Sequence, residues 1–310
     1  MSVEPLLLAL SFDAEADAFD GSIEGSGSCT WRGIEEGIPL IDCLLAQQKD
    51  SFGGPAKATW FVRCDDQIAE LTGDAGHLLR QYKKCWDTHQ DAGDEIGFHP
   101  HLYRRELSTW KQEKDAQALA KQIIRSHQAM RAAGFEGRVS RIGEAFGSNA
   151  VMNALDKLGI HCDSTAMPGR VRNDATRSID WLSTPESPYH PSLADYRIPG
   201  TPACSLLEIP MTMLMTRAAY DAEPFPRYLD LSFHPTALRE GITAILPKAR
   251  VIVTVTHPST VLPNIVSQPH GLISFDIAAF EENLNHLTGE CQRIGRPFRF
   301  VTLRACSEIL

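Results

Sequence analysis

The feature that most restricts what this chain can become is the spacing of its apolar residues. Short uninterrupted runs alternate with stretches of helical periodicity along most of the 310 residues. Parallel strands covered on both faces read as continuous apolar runs and need a crossover between them, so this alternation predicts an α/β fold on a parallel sheet. Leu6 to Phe12 is the first run. Ile34, Ile38, Ile41, Leu44 and Leu45 then fall at helical spacing, and Ala58-Thr-Trp-Phe-Val62 supplies a second strand. Further on, the pattern predicts a helix over 78–89, a strand over 95–98 and a helix from Lys111 to Ala133 that Gly134 stops. Strands near Val139 and Ile160 flank a helix that Ser148 caps and Gly159 ends. Later strands are expected over 205–209, 249–254 and 298–302, with helices over 236–246 and 277–293.

A hydrophobic fraction of 43% and a charged fraction of 22% suit one barrel-sized domain over 1–310. The rhythm breaks at about 168–210, where Pro185, Pro188, Pro191, Pro199 and Pro202 crowd together. Such a stretch reads as a long ordered insertion, and long loops usually have a role. Its Trp181, Tyr189, Tyr196 and Arg197 suit a sugar ring and a phosphate or carboxylate, if the insertion folds over the rim of a barrel.

Several function classes lose support at once. The net charge of -9, with no basic stripe, argues against nucleic acid as a partner and against an anionic membrane. Leu6–Phe12 is too short for a membrane span, and no basic segment or cleavage site precedes it, so a soluble cytoplasmic protein is expected. The eight cysteines form no Cys-x-x-Cys pair, which fits free thiols in a reducing compartment. Phosphate loops, dinucleotide fingerprints and serine-hydrolase elbows are all missing.

Against the predicted strands, Asp13, His99, Arg141, Asp163 and His257 each stand just past a carboxyl end. Barrel enzymes assemble their sites on that rim. Ser11-Phe-Asp13-Ala-Glu15 puts two carboxylates on one side of an extended segment, where they can share a metal or divide the work between ligand and base. His99-Pro-His101 repeats the spacing with two imidazoles, good ligands for zinc or a similar divalent ion once carboxylate and water complete the shell. The β-branched run Val251 to Thr256 delivers His257, placed to protonate a leaving group near neutral pH. His234, in Ser232-Phe-His234-Pro235, is its rival; it precedes a helix, which favours His257.

Taken in order, these motifs resemble the polysaccharide deacetylases, the NodB-homology or carbohydrate esterase family 4 superfamily. Ser11-Phe-Asp13-Ala-Glu15 resembles the first motif, Ala58 to Val62 the second strand, and Asp94 to His101 the histidine motif. Arg141-Ile-Gly143 resembles the arginine motif, Leu158 to Ser164 the next strand and Thr256-His257-Pro258 the last motif. The resemblance spans roughly Leu6 to Thr302. It implies a distorted (β/α)7-8 barrel in which Asp13 is the general base, Arg141 orients it and His257 is the general acid. Glu15, His99 and His101 would hold a divalent metal, zinc first, and Glu144, Asp163, Trp181, Tyr189 and Arg197 would meet the substrate.

The chain departs from the family pattern in three places. Ala14 separates carboxylates that are adjacent in many relatives, the histidine spacing is two where four is usual, with Tyr103 where the second His often falls, and Gly143-Glu144 replaces the usual proline of the arginine motif. The first two variants are similar to a branch concerned with lipopolysaccharide or other intracellular sugar biosynthesis. The implied activity is removal of an N-acetyl or N-formyl group from an amino sugar, small or carrier-linked, by water activated at the metal. An amide is a poor electrophile with a poor leaving group, so such a site needs activated water, a stabilised oxyanion and a proton for the nitrogen. Two other readings stay open: a metal-independent amidohydrolase of cyclic amides or ureides on the same fold, and a catalytically inactive carbohydrate-binding homologue. A homo-oligomer also stays open.

Overall fold

The apolar runs can be stable only if their backbone groups pair and their side chains are covered. In the computed structural model, which describes residues 4–17, 29–174, 177–263 and 275–310, they are paired and covered within two compact units. The described residues include eight parallel strands with intervening helices, which is the α/β class expected.

The first unit takes in the described parts of 1–17, 31–58 and 211–302. Its centre is the strand Leu6–Ala14, buried at all nine positions. Val251–Val253 pairs with it on one side and Phe298–Phe300 on the other, both parallel, with Leu7 opposite Val251 and Leu6 opposite Phe298. Pairing with the 251 segment runs on past the strand's end: Phe12 bridges Thr256, and the Asp13 amide donates to the Thr256 carbonyl at 3.1 Å. That register carries Asp13 to the carboxyl end of its strand beside the segment that ends in His257.

Helices Ile38–Leu45, Pro235–Ile245 and Ile277–Arg293 belong to this unit, the last capped by Asp276, whose carboxylate accepts from the Ala279 amide at 2.7 Å. The helix expected from Ile34 opens as a π-helical turn over Gly33–Gly37. A side chain at Gly37 would collide with the Pro258 carbonyl, so backbone meets backbone there and only glycine fits. The antiparallel ribbon Met213–Thr216 with Phe225–Tyr228 had no clear sequence signal.

The second unit takes in the described parts of 18–30, 59–210 and 303–310. Its five parallel strands lie side by side in chain order: Ala58–Arg63, Glu95–His99, Val139–Ser140, Cys162–Asp163 and Leu207–Glu208. Consecutive parallel neighbours of this kind follow from short helical crossovers. The helix expected over 78–89 is divided at Tyr82 into His77–Gln81 and Lys83–Asp91. The next helix is Ala116–Ala132, shorter than the periodicity suggested. Asp115 caps it, and Thr109–Gln112 instead pairs with Tyr103–Glu106 as a hairpin. Gly134 follows the helix at φ 95°, in the left-handed region that glycine tolerates.

Ser148 caps Asn149–Lys157 as expected, its hydroxyl accepting from the Val151 amide at 3.2 Å. The Pro-rich stretch contains a small hairpin, Val171–Asn173 with Ser178–Asp180, and isolated bridges at Tyr189, Pro191 and Ser192; residues 175 and 176 fall outside the described set. A terminal helix, Leu303–Ile309, packs back on the Cys162–Asp163 strand. No helix among the described residues is long and apolar enough to cross a membrane.

Candidate metal and catalytic site

In the first unit the polar residues lie at the carboxyl end of the sheet. Asp13 is 5% exposed, and the Glu15 carboxylate lies 3.2 Å from His257 Nε2. Burial disfavours a charged His257 ring, yet the hydrogen bond to Glu15 and the charges of Glu15, Asp13 and Asp230 outweigh it and push the pKa up to about 9. The ring keeps 27% of its surface, enough to meet a ligand. His234 instead precedes the helix Pro235–Ile245 and packs edge-on against Phe233 at 5.1 Å.

Asp230 is a residue the sequence reading missed. It is 4% exposed and accepts from the Ser232 amide at 2.9 Å, the Ser232 hydroxyl at 2.7 Å and the Thr256 hydroxyl at 3.0 Å. Burial raises its pKa against those hydrogen bonds. The available signal was a single carboxylate inside the apolar run Tyr228-Leu-Asp-Leu-Ser-Phe233.

In the second unit His99 ends its strand and His101 follows across Pro100, both nearly buried at 2% and 5%. His99 Nδ1 lies 2.7 Å from the Arg141 carbonyl. A carbonyl only accepts, so Nδ1 carries the hydrogen and Nε2 keeps its lone pair. His99 Nε2 and His101 Nε2 are 3.1 Å apart, with the rings at 87°. Two nitrogens each about 2.05 Å from a tetrahedral zinc ion stand about 3.3 Å apart, so this pair fits a shared ion. Of the residues the motifs nominate for a metal, His99 and His101 are brought together in this unit.

Each histidine is held from behind. The His101 amide donates to the Asp65 carboxylate at 2.9 Å; Asp65 also pairs with the buried Arg63 at 2.8 Å and caps the helix Asp66–Thr72 through the Ile68 amide. Gly143 lies so close to the His101 ring that any side chain there would overlap it. The next two residues, Glu144 and Ala145, adopt φ of 56° and 53°, a left-handed conformation costly for residues with a Cβ. Glu144 pairs with Arg177 at 2.6 Å, and Ala145 accepts from the Trp181 indole at 2.8 Å. Two tertiary contacts therefore hold the turn in that conformation.

The remaining nominated residues are placed as follows. Arg141 is 1% exposed, donates from Nε to the Ser164 carbonyl at 2.9 Å and stacks 4.3 Å above the Phe61 ring. Asp163 and Trp181 have no exposed surface and Tyr189 has 5%, its hydroxyl donating to the Tyr196 carbonyl at 3.0 Å. Contact with a sugar requires accessible surface, and these three side chains offer little or none. Arg197 is 30% exposed and engaged by Asp180 and Asp195; Glu144 is 23% exposed.

No family model matches the chain, and no curated protein matches it. Solved structures do. One designated a polysaccharide deacetylase from Mycobacterium smegmatis superposes over 99% of this chain and 91% of its own, with a TM-score of 0.53 at 15% identity. A family 4 carbohydrate esterase from Streptomyces lividans in complex with acetate matches over 93% and 91%, with a TM-score of 0.40 at 11% identity. A CE4 family pseudoenzyme from Bacillus anthracis matches over 96% and 64%, with a TM-score of 0.43 at 10% identity. The fold is therefore the distorted (β/α) barrel of the polysaccharide-deacetylase type, as the order of the motifs led us to expect.

Proposed function

We propose that this protein is a metal-dependent hydrolase that removes an acetyl or formyl group from the nitrogen of an amino sugar, free or carrier-linked. The reading is carried by one observation above all: a buried imidazole fixed in its Nδ1–H form turns its Nε2 toward a second imidazole 3.1 Å away. Burying two histidines nose to nose serves packing poorly and metal binding well. Glu15, His99 and His101 are the residues assigned to the ion, as the resemblance of their motifs implies. Zinc suits their nitrogen and oxygen donors, and when bound it polarises an acyl carbonyl and acidifies water.

The other roles are those of the protein's own groups. Asp13 takes the proton from the attacking water, and Arg141 orients Asp13. His257 gives its proton to the departing nitrogen. Glu144 and Arg197, the nominated polar residues with open surface, are assigned to the substrate's hydroxyl and acidic groups. The polysaccharide deacetylase named among the similar structures supports a carbohydrate as the substrate class.

The test is to load the purified protein with zinc and offer it N-acetyl and N-formyl amino sugars, free and nucleotide-linked, while measuring released acid. Release that stops on chelation and returns with zinc is the expected result. Turnover of a cyclic amide or ureide that survives complete chelation would replace this reading with the metal-independent one. Substituting Asp13→Asn should abolish turnover with the metal still bound, because an amide keeps the shape of the carboxylate but takes no proton. Loss of the metal would make Asp13 a ligand and pass the base to Glu15 or Glu144.

A further inference from the structure

Three polar residues lie in one row across neighbouring strands of the second unit. Ser140 is in register with Asp163, and Asp163 with Glu208, so their side chains emerge on the same face. All three have no exposed surface. Two carboxyl groups side by side in such a place cannot both be charged without heavy cost.

The hydrogen bonds show how the row is satisfied. Asp163 accepts from the Ser140 hydroxyl at 2.5 Å through Oδ1 and from the Thr165 amide at 3.2 Å through Oδ2. Glu208 Oε1 accepts from the Ala166 amide at 2.9 Å, whereas Glu208 Oε2 is buried and accepts nothing. The two residues are in register on neighbouring strands, so their carboxyl groups stand side by side, and a contact between two acceptors is favourable only with a proton between them. Of the other groups that face them, Arg141 contributes one positive charge to Asp163, and Tyr189 bridges Glu208 through the backbone.

We infer that Asp163 and Glu208 share a single proton, carried on Glu208 Oε2, and act as a positioning pair that fixes the Arg141 carbonyl and through it the ring of His99. Arg141 is held on both sides by Asp163's partners. Ser140, immediately before it, is bound by Oδ1. Thr165, whose amide is bound by Oδ2, accepts from the Ile142 amide at 2.8 Å through its own hydroxyl. Arg141's carbonyl, between those two anchors, receives His99 Nδ1–H. Burial is the main cause raising the pKa of both groups; the Asp163 charge then raises Glu208 further, while hydrogen bonds from Glu208, Ser140 and Thr165 lower Asp163. With one proton, the row and Arg141 are neutral together. With none, two charges would repel and pull the anchors apart.

This inference deepens the metal-binding reading and rests on it only for its consequence at His99, so the first two measurements use metal-free protein. The infrared spectrum at pH 7 should contain a protonated-carboxyl carbonyl band that shifts in deuterated water and vanishes in Glu208→Gln. Histidine-ring proton–nitrogen correlation spectra should show His99 as the Nδ1–H form in wild type and in Glu208→Gln, whose amide can donate to Asp163 as the proton did. They should show a mixture of tautomers in Glu208→Leu. Zinc affinity, read by chelator competition, should be kept in Glu208→Gln and fall about 10–100-fold in Glu208→Leu, the usual loss when support behind a ligand is removed.

Absence of the infrared band, or equal damage from Gln and Leu, overturns the inference. If Glu208→Leu does not fold, the band and the Gln spectra still decide. A wild-type protein that binds no zinc yet shows the band would sink the metal reading and leave the shared proton in place.

Discussion

His257 and His99 are both histidines at the end of a parallel strand, and their second atoms make them opposite in character. His257 faces a carboxylate, Glu15, at 3.2 Å, and its pKa rises to about 9, so the ring carries charge at neutral pH. His99 faces a peptide carbonyl at 2.7 Å, which fixes a hydrogen on Nδ1. Here the carboxylate favours a charged ring, and the carbonyl fixes the tautomer whose Nε2 is a lone-pair donor. Strand ends supply the positions, and the partner behind each ring selects the chemistry.

The hardest blow to this contrast is to remove the ligand pair. His99→Ala with His101→Ala should leave the purified protein without bound zinc and without measurable turnover, while the fold holds. Metal analysis together with circular dichroism reads both. Full metal occupancy in that double variant would mean the 3.1 Å pair is not a metal site.

Removing the acid should be nearly as costly, but selectively. His257→Ala should lower turnover of amides by about 10²–10⁴-fold, because an amine must be protonated to leave. Activated esters, whose leaving groups depart as anions, should be far less affected. Parallel assays on an N-acetyl sugar and a phenyl ester give the ratio. Equal loss on both would assign His257 a structural role and return His234 to consideration.

How much of this was readable beforehand depends on the length scale of each signal. Leu6–Ala14 and Ala58–Arg63 are fully buried and announce themselves as continuous apolar runs. The two-residue strands at 139, 162 and 207 were legible only through the helices and glycines around them. The hairpin over 103–112 was read partly as helix because Lys111-Gln-Glu-Lys114 continues the polar pattern of the helix beyond it, and only Asp115, the cap, marks the true start. Site residues at spacing two, Asp13 with Glu15 and His99 with His101, were visible because the spacing is local. Glu208 was not, since its partners lie on other strands, and Asp230 was not, since a lone carboxylate carries no mark of burial. Trp181, nominated for the sugar, is buried, with its indole donating to the Ala145 carbonyl.

A gentler perturbation acts on the ligand side alone. Gly143→Ala would push a methyl into the His101 ring and tilt it, leaving His257 untouched. Zinc affinity should fall by about 10–100-fold, as when a ligand's support is lost, with the His257-dependent amide-to-ester ratio unchanged once saturating zinc is supplied. An unchanged affinity would show that the His101 ring has room to move and that its packing on Gly143 does not set the site.

The smallest effect tests whose partner Glu15 is. In metal-free protein the His257 ring should titrate near pH 9, followed by its carbon-bound proton resonances. Because the folded pKa lies above the ordinary value of about 6.5, the charged ring stabilises the fold fully below that lower value. The contribution is lost as the pH rises through about 9. Glu15→Gln removes the negative partner and should move the midpoint down toward the ordinary value, flattening that loss. Adding zinc to the wild type asks the same question chemically: if Glu15 turns its charge to the ion, His257 loses part of its partner and its midpoint must fall too. A midpoint that stays near 9 with zinc bound would keep Glu15 with His257 and leave the ion to the two histidines and another carboxylate, for which Asp13 is the first candidate.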